Sequence, residues 1–489
     1  MFKLVKIELL KILKHKSIYI VLAITFSFCL LNNIIYKNDY NNEGFYKYTT
    51  NNNINKQIKK LEKENNKYDI NKESDKTLLI ENKTKIEILK IKKQYSKEDW
   101  RYIKAKDYLY DTLYKYNYHK YIDNDTNKIE YYNNKYNNYK DKIKKNNWMY
   151  FLKKEKKELN NNIKDLINIQ NNSNNTKDKL DINNTIKELK SNLTIINYRI
   201  NKKINYNNTY LNQALKEYKE NLQKEKYCKN LKKLNYNKKL ECYNTISSLN
   251  INKYIINKKI NVNKVNTLNY QLRTIADDYE LFIVLIIIIS SSILISEEFN
   301  KGTIKQLLIK PYKRSTILIS KIIACFIMLS LVITYLFLTH LIIGGILFSF
   351  SSLKNAVIVY NFTNQKIMKI NIFIYMILRI FSKLPMYIII INISIIFGII
   401  INSVVGSFSL IMLIYTFSEL INNLAINYKL KFMRLSITMN WNFKEYLFGG
   451  LSTFKYLDFK KSLLIFIIYD IITIGIMLIS FARKNIKNI

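Results

Sequence analysis

Glycine and proline are scarce in this chain. Its 489 residues include 9 Gly and 2 Pro, well below the roughly 7% and 5% of average proteins. Phosphate loops, tight turns and open α/β sheets draw on glycine for backbone shapes that other residues resist. The deficit therefore argues against an α/β catalytic fold and for long helices. No G-x-x-x-x-G-K-[ST] and no G-x-G-x-x-G occurs, so the chain is expected to bind no nucleotide itself. Histidine is limited to His15, His119 and His340, far apart in sequence. No pairing among them has metal-ligand spacing, and no Ser–His–acid arrangement stands out. No catalytic residue, metal site or bound cofactor is expected. His340, inside an apolar run, reads as a packing residue. Acidic residues are also in deficit: 78 Lys and Arg face 37 Asp and Glu, a net charge of +41. Lysine with interleaved tyrosine is one way to grip phosphate and stack bases. Here the acids are interspersed and the basic stretch is flanked by apolar runs, so no nucleic acid partner is expected.

The residues that are present form two unlike kinds of chain. One is nearly pure Ile, Leu, Phe and Ser; the other is rich in Asn, Lys and Tyr. In residues 1–16, Phe2, Val5, Leu9, Ile12 and Leu13 fall on one side of a helix and Lys3, Lys11 and Lys14 on the other. This reads as an amphipathic helix lying on a membrane surface. The alternative is the charged start of a signal peptide with 17–36 as its apolar core, although Asn32, Asn33 and Tyr36 stand where a small-residue cleavage site would follow. Residues 17–36 are long enough for a first transmembrane helix. Residues 279–489 supply five more: Leu281–Ile295, Thr316–Phe350, Pro385–Ile401, Ser407–Leu424 and Leu463–Phe481. Ile367–Leu384, interrupted by Arg379 and Lys383, reads as interfacial, re-entrant or an outer extension of the Pro385 span.

Between these parts lies a polar insert, residues 37–278, with 52 basic and 29 acidic residues. It has no Gly after Gly44 and no Pro, which permits helix throughout. Ile182, Ile186, Leu189, Leu193, Ile196 and Ile200 follow 4-3 spacing, as do Leu152, Leu159, Ile163 and Leu166, and Leu211, Leu215, Tyr218 and Leu222. These short seams, broken by Asn-rich joints such as 171–175, predict antiparallel helices with coiled-coil-like contacts. Disorder is the competing reading of so biased a composition. Cys29 and Cys325 lie in apolar spans and read as inert packing. Cys228 and Cys242 flank a polar stretch that reads as a helical hairpin tip, which would bring them together as a disulfide; two free thiols are the alternative.

Between the second and third spans runs Ser296-Glu297-Glu298-Phe299-Asn300-Lys301-Gly302-Thr303-Ile304-Lys305-Gln306-Leu307-Leu308-Ile309-Lys310-Pro311-Tyr312-Lys313-Arg314-Ser315. Gly302 permits a turn, Thr303 is placed to cap a short amphipathic helix, and Pro311 ends it. The order of acidic pair, aromatic, Gly-Thr, short helix, Pro and basic-Ser resembles the cytoplasmic coupling segment, here 296–315, of ABC-2 type transporter permeases. The resemblance implies an all-α membrane protein, with six transmembrane helices and a large, mainly helical extracellular domain between the first and second spans. It implies a cell-membrane protein with both termini cytoplasmic and residues 37–278 outside. It implies a permease of an exporter, as in antibiotic resistance, moving an amphipathic cargo such as an antimicrobial peptide, drug or lipid. ATP and Mg would be handled by a separate ABC ATPase dimer touching Glu297, Glu298, Gly302, Thr303, Ile304, Leu307, Leu308, Pro311, Arg314 and Ser315. A second permease, identical or related, and membrane lipid would be the other partners. Ionisable residues within spans make Glu419 and Asp470 pathway candidates; a wet helix end and an interhelical pair are the plainer readings. A membrane-anchored helical receptor or adhesin is the alternative for the whole chain. Basic segments at Lys366–Lys383 and Lys429–Lys461 fall outside in this topology, against the positive-inside rule.

Overall fold

The computed structural model describes all residues except 69–71, 96–98, 173–175, 207–208, 229–235, 261–266, 310, 451–457 and 485–489. In chain order the helices are α1 (Phe2–Lys14), α2 (Lys16–Asn65), α3 (Glu73–Lys93), α4 (Trp100–Tyr118), α5 (Thr126–Lys144), α6 (Trp148–Asn172), α7 (Thr176–Lys202), α8 (Thr209–Glu225), α9 (Tyr236–Lys258), α10 (Leu268–Asp278) and α11 (Glu280–Ser292). A π-helical turn, Ile293–Glu297, leads into α12 (Glu298–Asn300), followed by α13 (Ile304–Leu308) and α14 (Arg314–Phe348). Then come strands β1 (Val357–Asn361) and β2 (Lys366–Ile370), α15 (Ile372–Ile401), α16 (Val404–Asn427), α17 (Ile437–Asn440), α18 (Lys444–Phe448) and α19 (Phe459–Arg483).

Among the described residues six helices are long and apolar enough to cross a membrane: Lys16–Lys37, Glu280–Asn300, Arg314–Phe348, Ile372–Ile401, Val404–Asn427 and Phe459–Arg483. The all-α membrane fold is thus as the sequence indicates, with one small exception. β1 and β2 pair antiparallel, Val357 opposite Ile370 and Asn361 opposite Lys366. Their β-branched residues were the available signal. The weak segment Ile367–Leu384 therefore divides into a strand and an N-terminal extension of the Pro385 span. Pro385 sits inside α15, where it offers no N–H to the preceding turn. That N–H would have gone to the Phe381 carbonyl; one residue on, the Ser382 carbonyl accepts from the Phe443 N–H at 2.8 Å.

Packing separates the chain into two compact units. One comprises Met1–Lys37, Tyr227–Ile251 and Val262–Ile489; the other comprises Asn38–Lys226 and Asn252–Asn261. The break at Lys37 coincides with the compositional boundary, but the one at Asp278 does not. The end of the polar insert belongs with the membrane unit because α10 is strongly amphipathic. Its Leu268, Leu272, Ile275 and Ala276 are buried, and the first three join the core of the spans.

In the other unit successive helices pack in pairs, α3 on α4, α4 on α5 and α6 on α7. Its core is aromatic: Trp100, Tyr108, Tyr139 and Phe151 cluster with Ile88, Ile91 and Leu109. Tyr108 and Phe151 have ring centroids 4.5 Å apart, and Trp100 Nε1 donates to Asn146 Oδ1 at 2.7 Å. Ile186 and Ile196 of one seam, Leu152 and Ile163 of the second, and Leu211, Leu215 and Tyr218 of the third are buried. Part of the joint at 171–175 lies outside the described residues.

Candidate functional site

The elbow between the second and third spans begins where α11 gives way to the π turn Ile293–Glu297. Such turns widen a helix by one residue and often mark functional positions. The chain then reverses at Gly302, whose φ of +68° is cheap only for glycine. Ile304 is buried as the anchor of α13, while Ile309 beyond its end is 84% exposed. Thr303 precedes α13 but its side chain makes no capping hydrogen bond, so the capping expectation is not met. Its backbone is already helical, which turns the hydroxyl away from the first free N–H groups. Pro311 and Ser315 are exposed and Gly302 is half-buried. The side chains of Leu307 and Leu308 lie outside the described residues.

The acidic pair has two different environments. Glu297 is at the rim, paired with Lys301 and 3.8 Å from His15 Nε2. Glu298 points inward. It pairs with Lys11, and the Lys321 ammonium lies 2.7 Å from its Oε2, an ion pair not aligned as a hydrogen bond. Lys321 also donates to Glu8 Oε2 and to the Leu294 carbonyl, each at 2.9 Å. Lys321 and Glu8 are 0% exposed. One lysine of α14 thus holds together α1, the π turn and the elbow. For Lys11, burial works against the charged form, but Glu298 and Glu8 outweigh it and raise its pKa above the ordinary lysine value. Arg314 is also committed internally. Its Nη1 donates to the carbonyls of Ala482 at 2.6 Å and Phe481 at 3.3 Å, closing the carboxyl end of α19 as a basic side chain does favourably. Phe299 packs edge-on against Phe481, with centroids 6.2 Å apart.

A second ionic cluster lies at the other end of α11. Glu280 and Glu298 are 18 positions apart in the chain. At 1.5 Å per residue that is about 27 Å, close to the hydrocarbon thickness of a bilayer. Arg379 and Lys383 of α15 are buried there. Arg379 pairs with Asp277. Lys383 pairs with Glu280, lies 2.9 Å from Asp277 Oδ1 and donates to the Ala276 carbonyl at 2.6 Å. Tyr415 donates to Glu280 Oε1 at 3.0 Å. Burial alone would raise the Asp277 pKa, but Lys383, Arg379 and Lys444 overcome it and hold the carboxyl at about 2.

The two pathway candidates are not brought together by any hydrogen bond or ion pair among the described residues. Glu419 is exposed on α16. Asp470 is half-buried in the middle of α19 and accepts from Asn392 Nδ2 at 2.8 Å; the same amide reaches Thr473 Oγ1 at 3.2 Å. Cys228 and Cys242 are joined, with their sulfurs 2.19 Å apart. His340 is buried, edge-on to Tyr279 at 4.6 Å. Glu8 and Lys321 were missed from the sequence. The signal was there: an acid within the apolar run of α1, and a base inside a span, which is costly enough to need a partner.

Residues 248–409 match the family model described as ABC-2 family transporter protein. That stretch takes in the elbow, both strands and the second to fourth spans. It agrees with the resemblance carried by residues 296–315 and supports reading this region as an ABC-2 type membrane permease domain. No curated protein and no solved structure matches the chain.

Proposed function

We propose that this chain is the membrane subunit of an ABC exporter, driven by ATP hydrolysis on a separate ATPase dimer and completed by a second permease. The observation that carries the reading is the elbow. It presents an exposed apolar residue, Ile309, beyond a short helix whose other side is anchored by buried Ile304. It is tied at once to α1 through Glu8 and Lys11, to α14 through Lys321, and to α19 through Arg314. A push on α13 would therefore move several spans as one body, a rigid-body switch. In this reading Glu297, Gly302, Thr303, Leu307, Leu308, Pro311 and Ser315 form or border the ATPase contact. Glu298 and Arg314 transmit the push from inside the permease.

The elbow and both termini are then cytoplasmic, and residues 37–278 are extracellular. A Cys228–Cys242 disulfide suits that side, since disulfides persist in oxidising surroundings. The cargo is amphipathic: a peptide, drug or lipid. Asp470 belongs to its path, because a carboxyl half-exposed at mid-span costs about 2.5–3.5 kcal/mol in hydrocarbon and needs polar company. Glu419, exposed on α16, is the second candidate for that path. Asp470→Asn is expected to slow export several-fold with assembly intact; export at the wild-type rate would remove Asp470 from the path. The ATPase contact is tested by replacing Leu307 and Leu308 with Asp, which buries charge in the interface. The ATPase subunit should fall from the purified complex by tenfold or more. Wild-type recovery of the ATPase with this double variant would refute the assignment.

A further inference from the structure

The unit formed by Asn38–Lys226 and Asn252–Asn261 contains a cavity of about 410 Å³, within the range of small-molecule sites. Its apolar wall is Leu159 of α6 with Ile195 and Ile196 of α7, and its charged wall includes Arg199 of α7 and Lys219 of α8. Glu155 and Glu158 also line it, and both have basic or hydroxyl partners of their own. Glu155 is taken by Lys104 and by Tyr108, whose hydroxyl donates at 2.8 Å, and Glu158 lies 3.6 Å from Lys154.

Arg199 is held in place but not neutralised. Its guanidinium lies over the Tyr206 ring at 4.4 Å, and Nη1 donates to Asn212 Oδ1 at 2.7 Å. Among the described residues neither Arg199 nor Lys219 forms an ion pair with a carboxylate. Burial lowers the Arg199 pKa from its ordinary value, with Tyr206 and Glu155 acting the other way. A desolvated cation without an anion is unfavourable. A planar guanidinium braced on an aromatic ring is also the group best shaped to receive a carboxylate or phosphate through two donors.

We propose that this cavity binds an anionic amphiphile, with its carboxylate or phosphate on Arg199 and Lys219 and its apolar part on Leu159, Ile195 and Ile196. The site lies wholly within this one unit and does not depend on the transport reading. Calorimetry on the full chain in lipid nanodiscs tests it with three probes: N-acetylleucine, its uncharged amide N-acetylleucinamide, and hexyl phosphate. At least one of the two anions should bind saturably, and the amide at least tenfold more weakly. Binding of N-acetylleucine assigns the site to carboxylates, such as peptide ends; binding of hexyl phosphate alone assigns it to phosphates, such as lipid headgroups. Arg199→Gln and Lys219→Gln should each weaken the anion about tenfold, the size of one lost charge-assisted hydrogen bond. Lys219→Gln touches no internal hydrogen bond described here, so it keeps the test valid if Arg199→Gln unfolds. Equal binding of acid and amide, wild-type affinity in Lys219→Gln, or no binding of either anion would overturn the proposal.

Discussion

Replacing Lys321 with Met would leave Glu8 and Glu298 buried side by side with only Lys11 at the rim. Breaking a buried ionic cluster from one side costs about 3–5 kcal/mol, because the remaining charges keep their desolvation penalty. The full chain carrying Lys321→Met should therefore melt well below wild type. Adding Glu8→Gln and Glu298→Gln should recover much of the loss. An unchanged melting temperature in the single variant would show that the cluster carries no such strain. The same side chains show what a sequence conceals. Lys321 looks like a lone base near the start of a span, and Glu8 like one polar residue on a surface helix. The sequence pattern puts Phe2, Val5, Leu9, Ile12 and Leu13 on the apolar side of α1, yet its buried residues are Leu4, Val5, Glu8 and Ile12. Only tertiary contact reveals that the acid belongs to the buried stripe. Arg379 and Lys383 are the converse case. Their positive charges seemed to contradict the topology, and they are now accounted for as buried partners of Asp277 and Glu280.

At the scale of elements, the six spans, the elbow and the paired helices of the insert were legible because apolar length and 4-3 spacing are local properties. Joints were less so. Asn124, Asn146 and Asn402 take left-handed backbone as expected of asparagine, but Lys203, Lys259, Lys429 and Gln365 do so too. These residues have no intrinsic bias to αL; helix ends put the three lysines there, and the β1–β2 turn puts Gln365 there. The β1–β2 hairpin went unread because five-residue strands between two spans carry a weaker periodic signal than the helices around them. The Cys228–Cys242 link closes a loop of 14 residues in sequence separation, and the chain-entropy model gives such a loop about 3 kcal/mol. Both thiols should resist a membrane-impermeant maleimide on intact cells until a reductant is added, and then label. Labelling of both without reduction would exclude the link. Labelling only after the membrane is opened would place this segment inside.

For the whole molecule, one device recurs at both ends of the second span. Acids at Glu280 and Glu298 meet bases from α15 and α14 in buried clusters separated by about a bilayer's thickness. The spans are thus fastened to each other at both ends of the second span, and one of the two fastenings includes the elbow itself. What the sequence could not supply was this reciprocity, since most of these pairs join distant segments, Glu280 with Lys383 at 103 positions and Glu298 with Lys11 at 287. It does explain how a force applied at one short helix reaches the spans as a unit. The most direct test of that account is ATP hydrolysis by the complex purified through this chain from its native membranes, compared with the complex carrying Ile309→Asp. Ile309 is exposed, so the substitution leaves the fold alone and removes only the apolar contact. The account predicts ATP hydrolysis that accompanies the wild-type chain and is lost, together with the ATPase subunit, in Ile309→Asp. A correctly folded wild-type chain that brings no ATP hydrolysis with it, or undiminished hydrolysis in the variant, would contradict it.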